Sequence, residues 1–141
     1  KGKHQIKPRF KSILDDFFPR YIEVLNDESF RENINGIRIE GHTSTEWRKT
    51  TPDKISYLLN MALSQERASN VLHHVLETNL NGEYPWVRKR LQAVGYSSSK
   101  NKVFDDGKEN KQLSRRVEFR VVTNTQEKLY ELVSIVKGKE L

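Results

Sequence analysis

The stretch Ile37-Arg-Ile-Glu-Gly-His-Thr-Ser-Thr-Glu-Trp47 constrains the fold of this chain more than any other. Ile37 and Ile39 fall on one face of an extended segment, and Arg38 and Glu40 fall on the other. That is the period of a half-buried strand. The expected strand, 37–41, stops at Gly41 and opens into a polar loop that carries His42, Thr43 and Ser44. Rigid strands that deliver polar side chains to a loop are common supports for functional sites.

The rest of the chain supplies partners for that strand. Phe10, Ile13, Leu14, Phe17, Phe18, Tyr21, Ile22 and Leu25 recur at helical spacing. Pro19 lies inside that run and predicts a kink or a split. Asn35-Gly36 marks a turn before the strand. Thr51-Pro52-Asp53 reads as a helix start, with Thr51 as N-cap, Pro52 at the first helical position and an acid in the first turn. This helix is expected to run to residue 78, with Ala68, Val71, Leu72, Val75 and Leu76 on one face, and to end at Asn81-Gly82. Residues 90–95 read as a second short strand, and 96–111 as a polar loop. Residues 116–122 alternate cleanly, with Val117, Phe119 and Val121 toward the core. Leu129, Leu132, Val133 and Val136 predict a last helix over 125–137, and 137–141 a frayed tail. The order helix, strand, helix, strand, strand, helix predicts an α/β sandwich: one mixed sheet with helices packed on a face, in a single domain spanning 1–141.

Composition narrows the function. Apolar residues make up 35% of the 141 and charged residues 31%, but the apolar ones are clustered and periodic. That pattern belongs to a folded domain with a very polar surface. The chain has no cysteine, which excludes disulfides and thiol catalysis and leaves histidine and carboxylates as metal ligands. This composition suits the cytosol or a bacterial periplasm equally. A net charge of +6 favours an anionic partner: nucleic acid, a membrane surface or a carboxylate-bearing polymer. Lys and Arg are dispersed among acids rather than gathered into a stripe with interleaved aromatics, which argues against nucleic acid. No run has the length of a membrane span, and no signal peptide is present. The chain opens in a charged stretch at Lys1, as expected of an excised domain whose targeting or membrane segment lay upstream.

Several constellations compete for the site. Asn60, Ser64 and Arg67 share one side of the second helix, with 60 and 67 close to two turns apart; a solvated helix face is the plainer alternative. Arg115 sits where the last strand begins, where a guanidinium could grip a carboxylate bidentately, whereas Arg116 shares its parity with Glu118 and Arg120 on the polar face; a surface basic pair is the plainer alternative. His73-His74 is a poor metal site, because adjacent helical positions point about 100° apart. His42 has the chemistry of a general base, but no nucleophile or paired carboxylate can be named for it, so no enzyme is predicted. Ser97-Ser-Ser99 reads as a polar loop. Trp86 is expected to cover the core, and Trp47 to line a groove or close the core.

Put in order, Ile37-Arg-Ile-Glu-Gly-His-Thr43, Asn60-x-x-Leu-Ser-x-x-Arg-Ala68, Val94-Gly-Tyr96 and Ser114-Arg-Arg-Val-Glu118 resemble the OmpA C-terminal-like domain. That is the peptidoglycan-binding module also found in Pal and MotB. The resemblance covers residues 5–123. It implies a mixed sheet of about four strands on helices, the first of which would precede Lys1. It also implies non-catalytic anchoring to the cell wall through the diaminopimelate of the stem peptide, with no cofactor. Arg67 would then grip a diaminopimelate carboxylate, Asn60 would supply hydrogen bonds, and Arg115 and Thr43 would line the same pocket.

The chain departs from the family at Ser44, where an Asp usually meets the ligand ammonium. A hydrogen bond to a charged group contributes about 1.5–3 kcal/mol, so losing that charge weakens affinity about tenfold or more. Glu46 would restore a carboxylate if its loop folds back. The loop between Thr43 and Asn60 is longer than usual, with Trp47-Arg48-Lys49 inserted. The wording around Phe17-Phe-Pro-Arg-Tyr21 resembles the periplasmic domains of inner-membrane MotB-like proteins. That subgroup implies a stator-type membrane partner through an upstream segment, and a homodimer. The alternative is the same fold with a degenerate wall pocket, used as a protein-interaction or dimerisation module.

Overall fold

Ile37 and Ile39 are fully buried at the centre of the molecule. In this computed structural model, which describes residues 6–80 and 84–124, they belong to strand β1 (Ile34–His42). The expected helix 125–137, the tail beyond it and the Asn81-Gly82 stop lie outside the described residues. β1 is the middle of a mixed sheet in the order β2–β1–β3. β2 (Leu91–Gly95) runs parallel to it and β3 (Arg116–Thr123) antiparallel. Three strands, rather than four, form the sheet among the described residues. A parallel neighbour needs a crossover, here the long helix α3 (Asp53–His74).

Helix α1 (Pro8–Leu25) buries Leu14, Phe18 and Ile22. Pro19 lies inside it without splitting it. Burial of Phe18 before the proline and Ile22 after it, each worth about 1.5–3 kcal/mol, outweighs the lost backbone bond. Phe17, Phe18 and Tyr21 cluster against Phe119 of β3, with ring centroids 5.5, 5.7 and 5.8 Å from it. A short helix α2 (Glu28–Arg31) follows, capped by Asp27, whose side chain accepts from the Ser29 N–H.

Helix α3 begins one residue later than its sequence signals suggest. Pro52, not Thr51, is the N-cap, and no side chain caps the end. The helix stops at His74 and widens into a π-helical turn, Val75–Leu80, that keeps Val75 and Leu80 buried. His74 Nε2 lies 2.7 Å from an Asp15 carboxylate oxygen, and Asn79 Nδ2 donates to the same oxygen at 2.9 Å, so this pair ties α3 and its turn to α1. Helix α4 (Pro85–Arg88) places Trp86 against the core, its Nε1 donating to Asn26 at 2.8 Å. The segment after β2, read as a polar loop, holds a bridge between Val103 and Glu109 and a short helix α5 (Lys111–Ser114). No helix among the described residues is long and apolar enough to cross a membrane.

Candidate functional site

The half of α3 that faces the sheet is unusual for a core-facing helix. Its buried positions are Ser56, Asn60 and Ser64 before Ala68 and Val71. Small residues let the backbones approach closely. A Cβ at Gly41 would stand 2.2 Å from the Ser64 carbonyl oxygen, and one at Gly95 2.5 Å from the Gln65 nitrogen. Gly41 therefore does not end the strand, which runs on to His42. It is the contact point that brings α3 onto β1.

Beyond that contact the chain is knitted by Ser97. Its φ of 53° is left-handed, a costly conformation for serine, and every polar group of the residue is used to hold it. Ser97 N–H donates to Ser64 Oγ at 2.9 Å, its Oγ donates to the Tyr57 carbonyl at 2.7 Å, and its carbonyl accepts from Thr43 N–H at 2.9 Å. Thus Ser97 ties loop 43–47 to α3. Sequence reasoning read it only as part of a polar loop, and nothing local in Ser97-Ser-Ser99 signals the role.

Four of the six candidate residues are joined directly. Asn60 Nδ2 donates to the Ser44 carbonyl at 3.1 Å, and Arg115 Nε donates to Ser44 Oγ at 3.2 Å. Glu46 N–H donates to the same Oγ at 3.3 Å, and the Glu46 carboxylate pairs with Arg115 Nη2. The loop does fold back, so an acid stands beside the position where the usual Asp is missing. Lys111 Nζ lies 3.7 Å from the other Glu46 oxygen. Thr43 is buried, and its Oγ1 has no hydrogen-bond partner.

Arg67 joins the group through its field. Burial first, and the Arg115 guanidinium second, hold its pKa below the ordinary arginine value, and no carboxylate is among the groups that shift it. It stays charged regardless. Arg115 is bonded to Ser44, and the half-buried Arg67 guanidinium lies close enough to Arg115 for the two charges to interact. Paired guanidiniums have the chemistry to hold a carboxylate. The solvated-face reading of Asn60 and Ser64 is excluded, because both are almost fully buried. Trp47 is partly exposed and does not belong to the core.

The model of the OmpA family matches residues 1–116. The chain belongs to the OmpA family. Zorya protein ZorB from Escherichia coli strain ATCC 8739 is 47% identical over 133 residues, 94% of this chain and 56% of that protein. ZorB from Escherichia coli O139:H28 is 33% identical over 118 residues, 79% of this chain and 42% of that protein. The chain thus spans about half the length of the curated relatives it matches. Among solved structures, the periplasmic domain of Helicobacter pylori MotB superposes with a TM-score of 0.59 at 18% identity, covering 92% of this chain and 73% of that one. The OmpA-like domain of FopA1 from Francisella tularensis gives 0.54 at 16%, covering 85% and 68%. At these identities the likeness is one of fold, and the fold is MotB-like.

This OmpA-family domain also carries a polar cluster on the other face of its sheet. Cross-strand register places Glu40 opposite Glu118 and His42 opposite Arg116. Candidate ligand atoms of Glu40, His42 and Glu118 all lie within 4.8 Å of one another. The carboxylates are already engaged: Arg120 Nε donates to Glu40 at 3.1 Å, and Arg116 Nε donates to Glu118 at 2.5 Å. Burial raises the Glu40 carboxyl, but hydrogen bonds from Tyr96 and Arg120 outweigh it and hold its pKa below the usual value. His42 stacks on Tyr96 at 5.0 Å, its Nε2 lies 3.4 Å from Glu40, and its Nδ1 is buried without a hydrogen-bond partner. It is a packed, strand-end histidine. The register would have revealed this cluster from sequence only if the pairing of β1 with β3 had been known.

Proposed function

We propose that this domain is a non-catalytic peptidoglycan-binding module that anchors an envelope protein to the cell wall through the diaminopimelate of the stem peptide. The observation that carries the reading is the pair of hydrogen bonds that join Arg115 and Asn60 to Ser44, with the Arg67 charge near Arg115. A ligand carboxylate would replace the charge compensation that Arg67 lacks, and Asn60 and Ser44 would orient it. Glu46 would receive the ligand ammonium in place of the usual Asp. Membership of the OmpA family and the MotB-like fold support this reading. They also support a periplasmic placement in an inner-membrane protein with a stator-type membrane partner. Calorimetry with a diaminopimelate-containing tripeptide tests it. Binding in the micromolar-to-millimolar range that disappears in Arg67→Ala is expected; absence of heat from the wild type overturns the function.

A second reading, the same fold used as an interaction or dimerisation module, draws on the outer face of α3. Ile55, Leu58 and Leu59 lie at helical spacing there and are 48%, 58% and 39% exposed. Sedimentation equilibrium tests it, and a strict monomer removes the homodimer form of this reading.

A further inference from the structure

Two carboxylates cross between loop 43–47 and the segment before β3, in opposite directions. Glu109 grips Thr45: one of its oxygens accepts from the Thr45 N–H at 2.9 Å, and the other accepts from the Thr45 hydroxyl. Glu46 reaches back to Arg115 and Lys111. Glu109 is itself held in place, because its residue bridges to Val103 and the next N–H, of Asn110, donates to the Lys102 carbonyl at 2.8 Å. Thr45 lies between Ser44 and Glu46 in sequence, so a two-point grip on it fixes the direction of both neighbours.

In this arrangement Glu46 occupies the Arg115 guanidinium. A ligand carboxylate that takes Arg115 must displace it. A plain carboxylate only exchanges one ion pair for another, and it leaves Glu46 with Lys111 alone. A ligand that carries an amine beside its carboxylate restores both pairs, giving its carboxylate to the two arginines and its ammonium to the released Glu46. Both Glu46 and Arg115 are about half exposed, so their own pair is weak and exchanges readily.

We propose that Glu109 is a positioning residue: by gripping Thr45 it presents Glu46 as the exchangeable partner of Arg115, so that the site selects ligands pairing an amine with a carboxylate over carboxylates alone. This rests on the wall-peptide reading of the same pocket and deepens it. It assigns amine recognition to residue 46 and its alignment to residue 109, neither of which occupies the position of the family's usual Asp.

The test is calorimetry on the 141-residue chain with two probes: the diaminopimelate tripeptide with its distal amine free, and the same peptide with that amine acetylated. The wild type should prefer the free amine by about tenfold. Glu46→Gln should bring the ratio near one. Glu109→Ala should lower it at least threefold with an unchanged circular dichroism spectrum, while Glu109→Gln, which keeps an acceptor for the Thr45 N–H, should retain most of it. Thr45→Val combined with Glu109→Ala should do no more than Glu109→Ala alone, because both remove one grip. A wild-type ratio near one overturns this inference and leaves the wall-peptide reading standing. A preserved ratio in Glu46→Gln or Glu109→Ala also overturns it. Failure of the wild type to bind either probe overturns both.

Discussion

Replacing Gly41 with alanine tests how the fold builds the site. The new Cβ would stand 2.2 Å from the Ser64 carbonyl oxygen and 3.0 Å from its carbon. Carbon and oxygen make contact at about 3.3 Å, so α3 must retreat from β1 by about 1 Å. The obstacle is helix backbone, which has no rotamer to yield. Ala68 and Val71, both buried on the same helix, would lose part of their packing. We expect a destabilisation of about 3 kcal/mol, the upper end for overpacking. For a chain of this size that lowers the melting temperature by about 10 °C. The same retreat stretches the 3.1 Å bond from Asn60 to the Ser44 carbonyl beyond hydrogen-bond length, so affinity for the stem peptide should fall about tenfold. Gly36→Ala is the control, since its added Cβ meets nothing nearer than 3.4 Å, and it should change stability by less than about 1 kcal/mol. Thermal melts followed by circular dichroism, with calorimetry on the folded variants, read both effects. A melting temperature for Gly41→Ala equal to that of Gly36→Ala, with peptide affinity unchanged, would refute the reasoning.

Other perturbations address separate parts of the account. Ser97→Ala removes the bond from its hydroxyl to the Tyr57 carbonyl and should cost about 0.5–1.5 kcal/mol in urea denaturation; a change under about 0.5 kcal/mol would contradict the tether role. Burial pushes the Tyr21 hydroxyl up to about 12, and its oxygen has no hydrogen-bond partner, so Tyr21→Phe should leave stability equal or slightly higher, and a loss above about 1 kcal/mol would show a missed bond. Burial and the Arg116 charge hold the His42 imidazole below its ordinary value. The folded protein therefore takes up this proton at lower pH than the unfolded chain, so stability should fall as pH drops below about 6.5. Urea titrations at about pH 7.5 and 5.5 should show that loss in the wild type and a flatter response in His42→Gln; an equal slope in both assigns the effect elsewhere.

Where the sequence was legible, strong local periodicity made it so. The alternation over 37–40 and 116–122, and the apolar stripe of α1, each placed an element and its buried face. Pro19 does not split α1, because the rule for it is local, whereas burial of Phe18 and Ile22 is tertiary. Thr51 misled because a good capping residue carries no information about whether the helix begins one position later. The family resemblance, not spacing, is what singles out Asn60, Arg67 and Arg115 as candidate site residues. Spacing alone favoured a solvated helix face, and it could not show that α3 turns its small polar side inward and Leu58 and Leu59 outward. Glu109 and Ser97 were not legible, since each acts on a loop distant in sequence. The returned position of Glu46 depends on that same Glu109 grip.

The central claim is that Arg67 and Arg115 form the carboxylate receptor by which this domain holds the cell wall. Co-sedimentation with purified sacculi tests it most directly. The wild type should pellet with the sacculi, and Arg67→Ala, losing charge-assisted hydrogen bonds worth about tenfold or more in affinity, should stay largely in the supernatant while melting like the wild type. Equal retention of the two proteins would contradict the claim.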